Sequence, residues 1–243
     1  MVTGGKMNRY SIALGLAAIG AALTASPARA TDTFAQFAQV IPRARIFTYT
    51  NMSLPTVQAQ IATAGSSNSV LVSNLGSLIS PSTALVNLNA TASALPFMSG
   101  GNIEQLFSGS ITFTLLAPQM GMSGPSVNAL TVNFIEAIFE TPPGSSAPTL
   151  QADSSLGAVI TYASDFLDLS GSNNENFALS FSGASSPLNL GPLRLPDFSF
   201  SGSGTFAAAV PVPEPASWSM MLAGFGLLGG ALRGRRKAVP FLV

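Results

Sequence analysis

Several groups of residues have the types and spacing to do chemistry. The densest is Asp165-Phe166-Leu167-Asp168-Leu169-Ser170-Gly171-Ser172-Asn173-Asn174-Glu175, which gathers hard oxygen ligands around a glycine, as a calcium loop does. Its order departs from the EF-hand loop, and Leu167 and Leu169 have the spacing of inward-facing strand residues. It reads as a solvated turn between strands, and no metal is assigned to it. Glu136 and Glu140 offer a carboxylate pair of the kind glycosidases use. Four positions apart they would align on a helix, yet the surrounding pattern is that of a strand. Serine is abundant, but a serine nucleophile needs a base. The chain has 0 His, and its Lys residues are Lys6 and Lys237, outside the body, so a Ser-His-Asp triad is impossible and a Ser-Lys dyad nearly so. Tyr49, Tyr162 and scattered Phe could line a sugar-binding face, although such residues in a β protein more often form core. Gly224-Phe225-Gly226-Leu227-Leu228-Gly229 spells the dinucleotide pattern GxGxxG. That turn needs a strand before it and an acidic residue about 20 positions on. Pro213 and Pro215 stand upstream and residues 230–243 hold no acid, so the match is a coincidence of a glycine-rich apolar segment. The usual acid-base repertoire is missing; the expectation is a non-enzyme without a cofactor.

Only 8% of the 243 residues are charged, against roughly 25% in ordinary soluble domains. The formal net charge of zero is unevenly spread. Lys6, Arg9, Arg29, Arg233, Arg235, Arg236 and Lys237 lie toward the ends, whereas the middle keeps Arg43, Arg45 and Arg194 against more numerous acids. A mildly acidic body argues against nucleic acid as a partner. With 0 Cys, disulfides and thiolate metal sites are excluded.

The elements that must carry these groups are short strands. Apolar and polar residues alternate over 111–115, 130–134, 177–181 and 198–201, with period two and β-branched or aromatic content. Further strands are expected over 46–50, 70–73, 84–90, 135–140 and 157–163, with turn chemistry at 99–102, 142–144 and 170–174. Residues 55–64 could form a short helix and 102–107 a single helical turn. The fold class expected is mainly β, an antiparallel β-sandwich-like domain over 31–209. Ahead of it, residues 1–30 combine a basic start, an apolar run over 12–23 and the small-x-small tripeptide Ala28-Arg29-Ala30. This is the layout of a secretory signal peptide cut before Thr31, and the apolar run is short for a membrane span.

Residues 216–232 carry no charge. As a helix they would reach on the order of 25 Å, close to the hydrocarbon thickness, so a single transmembrane helix is expected there. Trp218 suits the outer interface, and Arg233, Arg235, Arg236 and Lys237 form a stop-transfer cluster held in the cytoplasm. Pro213 and Pro215 frame Glu214 and force an extended segment, the form in which protease clefts bind substrates.

This three-part segment resembles the PEP-CTERM sorting signal in its Trp-containing form. The matching residues are Val212-Pro213-Glu214-Pro215-Ala216-Ser217-Trp218, then Met220-Met221-Leu222-Ala223-Gly224-Phe225-Gly226, then Arg233 and Arg235-Arg236-Lys237. Ser219 replaces the usual Ala, and residues 238–243 make a longer, more apolar end than usual. The resemblance implies export by a Gram-negative, exopolysaccharide-producing bacterium. It also implies an exosortase-like membrane protease that recognises Pro213, Glu214, Pro215 and Trp218, cuts near them, and passes the protein to the surface. Earlier partners would be the secretion translocon, the signal peptidase at Ala28 and Ala30, and the inner membrane.

The expected organisation is a signal peptide (1–30), a β-rich extracytoplasmic domain (31–209) and a sorting and anchor segment (210–243). The expected role is that of a surface or exopolysaccharide-matrix structural protein. A carbohydrate- or matrix-binding module shown by the same signal is the alternative, and a polysaccharide-acting enzyme using carboxylates the third reading.

Overall fold

Alternation of apolar and polar residues sets the local structure. In a computed structural model that describes residues 31–52, 56–65, 68–75, 81–192 and 194–209, with Phe225, twelve strands pair antiparallel in one sheet. They are β1 (Thr31–Gln39), β2 (Phe47–Asn51), β3 (Ala59–Thr63), β4 (Ser69–Ser73), β5 (Ser82–Ala92), β6 (Phe97–Ser99), β7 (Asn102–Gly121), β8 (Gly124–Thr141), β9 (Thr149–Asp153), β10 (Val159–Ala163), β11 (Asn173–Ser182) and β12 (Phe198–Ala209). β5 shows the rule: Ala84, Val86, Leu88, Ala90 and Ala92 are buried, while Leu85, Asn87, Asn89 and Thr91 face outward.

Four pairs of strands lie end to end along a longer neighbour. β1 and β2 both run beside β12, β3 and β4 beside β5, β5 and β6 beside β7, and β9 and β10 beside β8. With each such pair taken as one, the twelve strands occupy eight up-and-down positions. The last position then pairs with the first, Thr31 opposite Ala209 and Phe37 opposite Gly204. The sheet therefore closes on itself, which removes the exposed edges an open sheet would leave.

The ring is flattened and filled. Phe113 of β7 and Phe206 of β12 come from opposite walls, yet their ring centroids are 5.6 Å apart; Phe37 of β1 lies 5.0 Å from Phe113. Opposite walls thus touch as the layers of a sandwich do, while the hydrogen-bond ladder continues around both sides. Glycine permits the closest approaches. A Cβ on Gly109 would overlap the Asn89 carbonyl oxygen and lie 2.5 Å from Ala90 Cα. One on Gly202 would lie 2.6 Å from the Phe181 ring.

The antiparallel β class expected from the sequence is what the structure has. Two local expectations differ. In place of the short helix over 55–64 the chain forms β3 over 59–63, because Ile61 alternates inward beneath Gln60 and Ala62. The helical turn over 102–107 is the start of β7, where Ile103, Gln105 and Phe107 are buried in alternation. Among the described residues no helix is long and apolar enough to cross a membrane; the expected span 216–232 lies outside them, Phe225 excepted.

Candidate functional site

The residues assigned to sorting and export (Pro213, Glu214, Pro215, Trp218, the cluster Arg233, Arg235, Arg236 and Lys237, and Ala28 with Ala30) lie outside the described residues. What the structure defines is where their segments join the domain. Thr31, the first residue after the expected signal-peptidase site, pairs with Ala209, which also pairs with Asn173. Both ends of the domain therefore leave from one end of the closed sheet. The first strand after the expected cut and the last strand before the Pro-Glu-Pro segment complete the closure together.

A second feature lies on the outer wall. Phe107 pairs with Ala137 but Gly109 with Phe134, so Ile135 and Glu136 together oppose Ser108 in a β-bulge. Glu136 takes φ 64°, the left-handed region that non-glycine residues seldom adopt, and its N–H donates to Ser108 Oγ at 3.2 Å. Beside the bulge β9 gives way to β10. Asp153 caps a 3₁₀ turn, Ser154–Leu156, by accepting the Ser155 N–H at 2.8 Å, and Gly157 at φ 106° turns the chain back. The detour leaves a groove of about 460 Å³ lined by Leu106, Glu136, Ile138, Gln151, Asp153, Leu156 and Asn176, among others. Two carboxylates accept hydrogen bonds, two amides both donate and accept, and Ile138 and Leu156 supply apolar contact. Such a lining suits a ligand that carries many hydroxyls on an apolar ring face.

The two members of the carboxylate pair read from the sequence have different surroundings. Glu140, on the same strand as Glu136, accepts from the Asn102 side-chain amide and from Gln151 Nε2 at 3.3 Å. The acid that shares the groove with Glu136 is Asp153. Sequence reading passed over Gln151, Asp153 and Asn176, although Asp153-Ser154-Ser155 followed by Gly157 is a cap-and-turn signal. In the oxygen-rich stretch each acid has its own hydroxyl donor. Asp165 accepts from Ser126, Asp168 from the Ser170 hydroxyl at 2.5 Å, and Glu175 from Ser172 at 3.0 Å. The Ser170 hydroxyl and N–H hold the Asp168 carboxyl below its ordinary pKa. Among the described residues no group of three acids comes together.

The two tyrosines belong to the core. Tyr49 stacks on Phe198 at 4.8 Å and donates its hydroxyl to Gln105 Oε1 at 2.8 Å. Tyr162 donates to the Asn176 carbonyl at 2.5 Å. Burial drives both phenol pKa values upward, aided by the charge of Asp197 at Tyr49 and of Glu175 at Tyr162.

Domain and attachment points define a class: an antiparallel β domain joined at its final strand to a sorting segment. Residues 211–237 match the family model described as the PEP-CTERM protein-sorting motif. The chain carries that signal, and with it the address of an exported protein that passes through the membrane to exosortase. No curated protein and no solved structure matches the chain.

Proposed function

We propose that this protein is a non-catalytic building element of the cell surface or of the extracellular exopolysaccharide matrix, exported, held in the inner membrane by residues 216–232, and released when exosortase cuts near Pro213-Glu214-Pro215. The observation that carries the reading is the sorting motif over 211–237, which starts two residues after Ala209 closes the sheet. The body supports it. Its outer wall includes neutral hydroxyls and amides, as in the cross-strand contact from Gln60 Nε2 to Asn89 Oδ1 at 2.9 Å. Its chemistry lacks His and Lys.

The test is intact mass of the surface-released protein, beside that of Glu214→Ala. The wild type should begin at Thr31 and end near Pro215; the variant should be exported but keep its tail. Trp218 is the 1 Trp of the chain, so release also removes tryptophan emission. A mature mass that Glu214→Ala leaves unchanged counts against the reading.

The groove beside Glu136 favours a second reading, a carbohydrate- or matrix-binding module displayed by the same signal. Residues 31–209 should then be retained on the native polysaccharide, and retention should fall with Asp153→Ala. No retention at millimolar sugar rejects it. Cleavage of the polymer that Glu136→Gln abolishes would instead move the protein to the enzyme class.

A further inference from the structure

The β7–β8 hairpin runs on past its pairing with β5. β5 pairs with β7 only as far as Leu115; β7 and β8 leave their register between Thr114 and Gln119 and pair again from Gln119 to Gly121, opposite Ser126 to Gly124. Residues 116–127 carry no charge. Within them Leu116 is 60% exposed, Met120 67%, Met122 51% and Val127 38%. The tip is braced rather than loose: the Met122 N–H donates to the Asp165 carbonyl at 2.8 Å, Ser126 donates to the Asp165 carboxylate, and Gln119 Nε2 donates to Ser82 Oγ at 2.9 Å. A hydrogen-bonded framework thus holds four apolar side chains in water on one uncharged hairpin tip.

Topology names an occupant for that tip. β7 ends and β8 begins at the end of the closed sheet where Thr31 pairs with Ala209. Val210, Pro211 and Val212 alone separate Ala209 from Pro213. Ala216, where the expected span begins, is seven residues beyond Ala209, at most about 25 Å of extended chain. While the tail holds the chain in the bilayer, this end is tethered close to the lipid surface, where a weak apolar contact gains from high effective concentration. We propose that the β7–β8 tip, through Leu116, Met120, Met122 and Val127, rests in the interfacial layer of the membrane until the tail is cut. The contact is apolar, because Asp32, Asp165, Asp168 and Glu175 near the same end would repel anionic headgroups. It rests on the reading that the sorting segment inserts in the membrane.

With 0 Cys in the chain, Met120→Cys and Met98→Cys each give a single labelling site. Met98 is also exposed, at 51%, but lies at the opposite end of β7, on the order of 50 Å away at about 3.3 Å per residue. The full chain bearing an environment-sensitive fluorophore at either site is reconstituted into phosphatidylethanolamine–phosphatidylcholine vesicles containing nitroxide lipid. Quenching should be several-fold stronger at position 120 than at 98. It should persist at about 1 M salt, where screening shortens electrostatic reach to ~3 Å. Equal quenching at both sites overturns the proposal. Quenching at 120 only when exosortase is present also overturns it and assigns the tip to the enzyme. A chain that does not float with vesicles removes membrane insertion, and the proposal with it, which separates that failure from a tail that inserts with an unquenched tip. Hydrogen exchange of the unlabelled chain provides a check free of substitution: amides over 116–127 should exchange more slowly in vesicles than in detergent, and unchanged exchange overturns the idea.

Discussion

The inner and outer faces of the closed sheet differ in almost every physical respect although they come from alternate residues of the same strands. Inward stand Phe37, Phe113, Phe134, Phe177 and Phe206, in mutual ring contact across the flattened interior. Outward, β5 shows Leu85, Asn87, Asn89 and Thr91, and β11 shows Ser180 and Ser182. The inner face carries the stability, since burial of apolar area is the dominant favourable term in folding. The outer face is thereby released from packing and can be chosen for its surroundings. Its few charges, 3 Arg against 9 acids over 31–209, leave a wall without the basic patches that bind anionic partners indiscriminately.

The sharpest way to break this contrast is from inside. Phe113 is fully buried between the walls, so Phe113→Ala should cost about 3–5 kcal/mol, a large share of a typical 5–15 kcal/mol total. Urea denaturation of residues 31–209 would measure it, and a loss below ~1 kcal/mol would mean that the interior is not packed as described. Gly109→Ala comes next. Its added methyl meets backbone of β5, which cannot rotate away, so about 1–3 kcal/mol should be lost. A neutral result would place β5 and β7 further apart than their register implies.

Alkali tests the interior without substitution. Tyr49 and Tyr162 are the tyrosines of residues 31–209, and both phenols have raised pKa values because burial disfavours the phenolate. A raised folded pKa means that this contribution to stability is fully present below the unfolded value, ~10, and is lost as pH rises above it. The phenolate absorption band should therefore appear in one cooperative step together with loss of the β circular dichroism. Gradual titration near the ordinary tyrosine value, with the sheet intact, would show the rings to be accessible.

How much of this was legible beforehand follows from the same contrast. Strands whose inward residues recur at period two, such as 111–115 and 177–181, were readable because alternation is local. β1 was passed over because a register shift between Thr33 and Ala35 breaks the period at Phe34. The region of β3 looked helical from Pro55 and its small, helix-tolerant residues; pairing with β2 and β5 on its two sides outweighs that preference. Closure of the sheet joins residues about 180 positions apart, and no local pattern encodes such a pairing. The groove escaped for a related reason: Glu136 and Asp153 meet only because a bulge on β8 faces the break between β9 and β10. The sorting signal was legible because it is a contiguous motif, over residues 211–237.

The smallest expected effect sharpens the comparison most, because it asks whether the outer wall is energetically free. Asn133 is exposed on β8, opposite Ser110 on one side and Thr161 on the other, both uncharged. Asn133→Lys should change stability by no more than ~0.5 kcal/mol, since it removes no packing and gives a long chain room to reach water. A loss above ~1 kcal/mol would show that the outer amides and hydroxyls act as a cooperative hydrogen-bonded layer, so that both faces hold the sheet together. If stability is unchanged, the scarcity of lysine and arginine across the body has no folding reason.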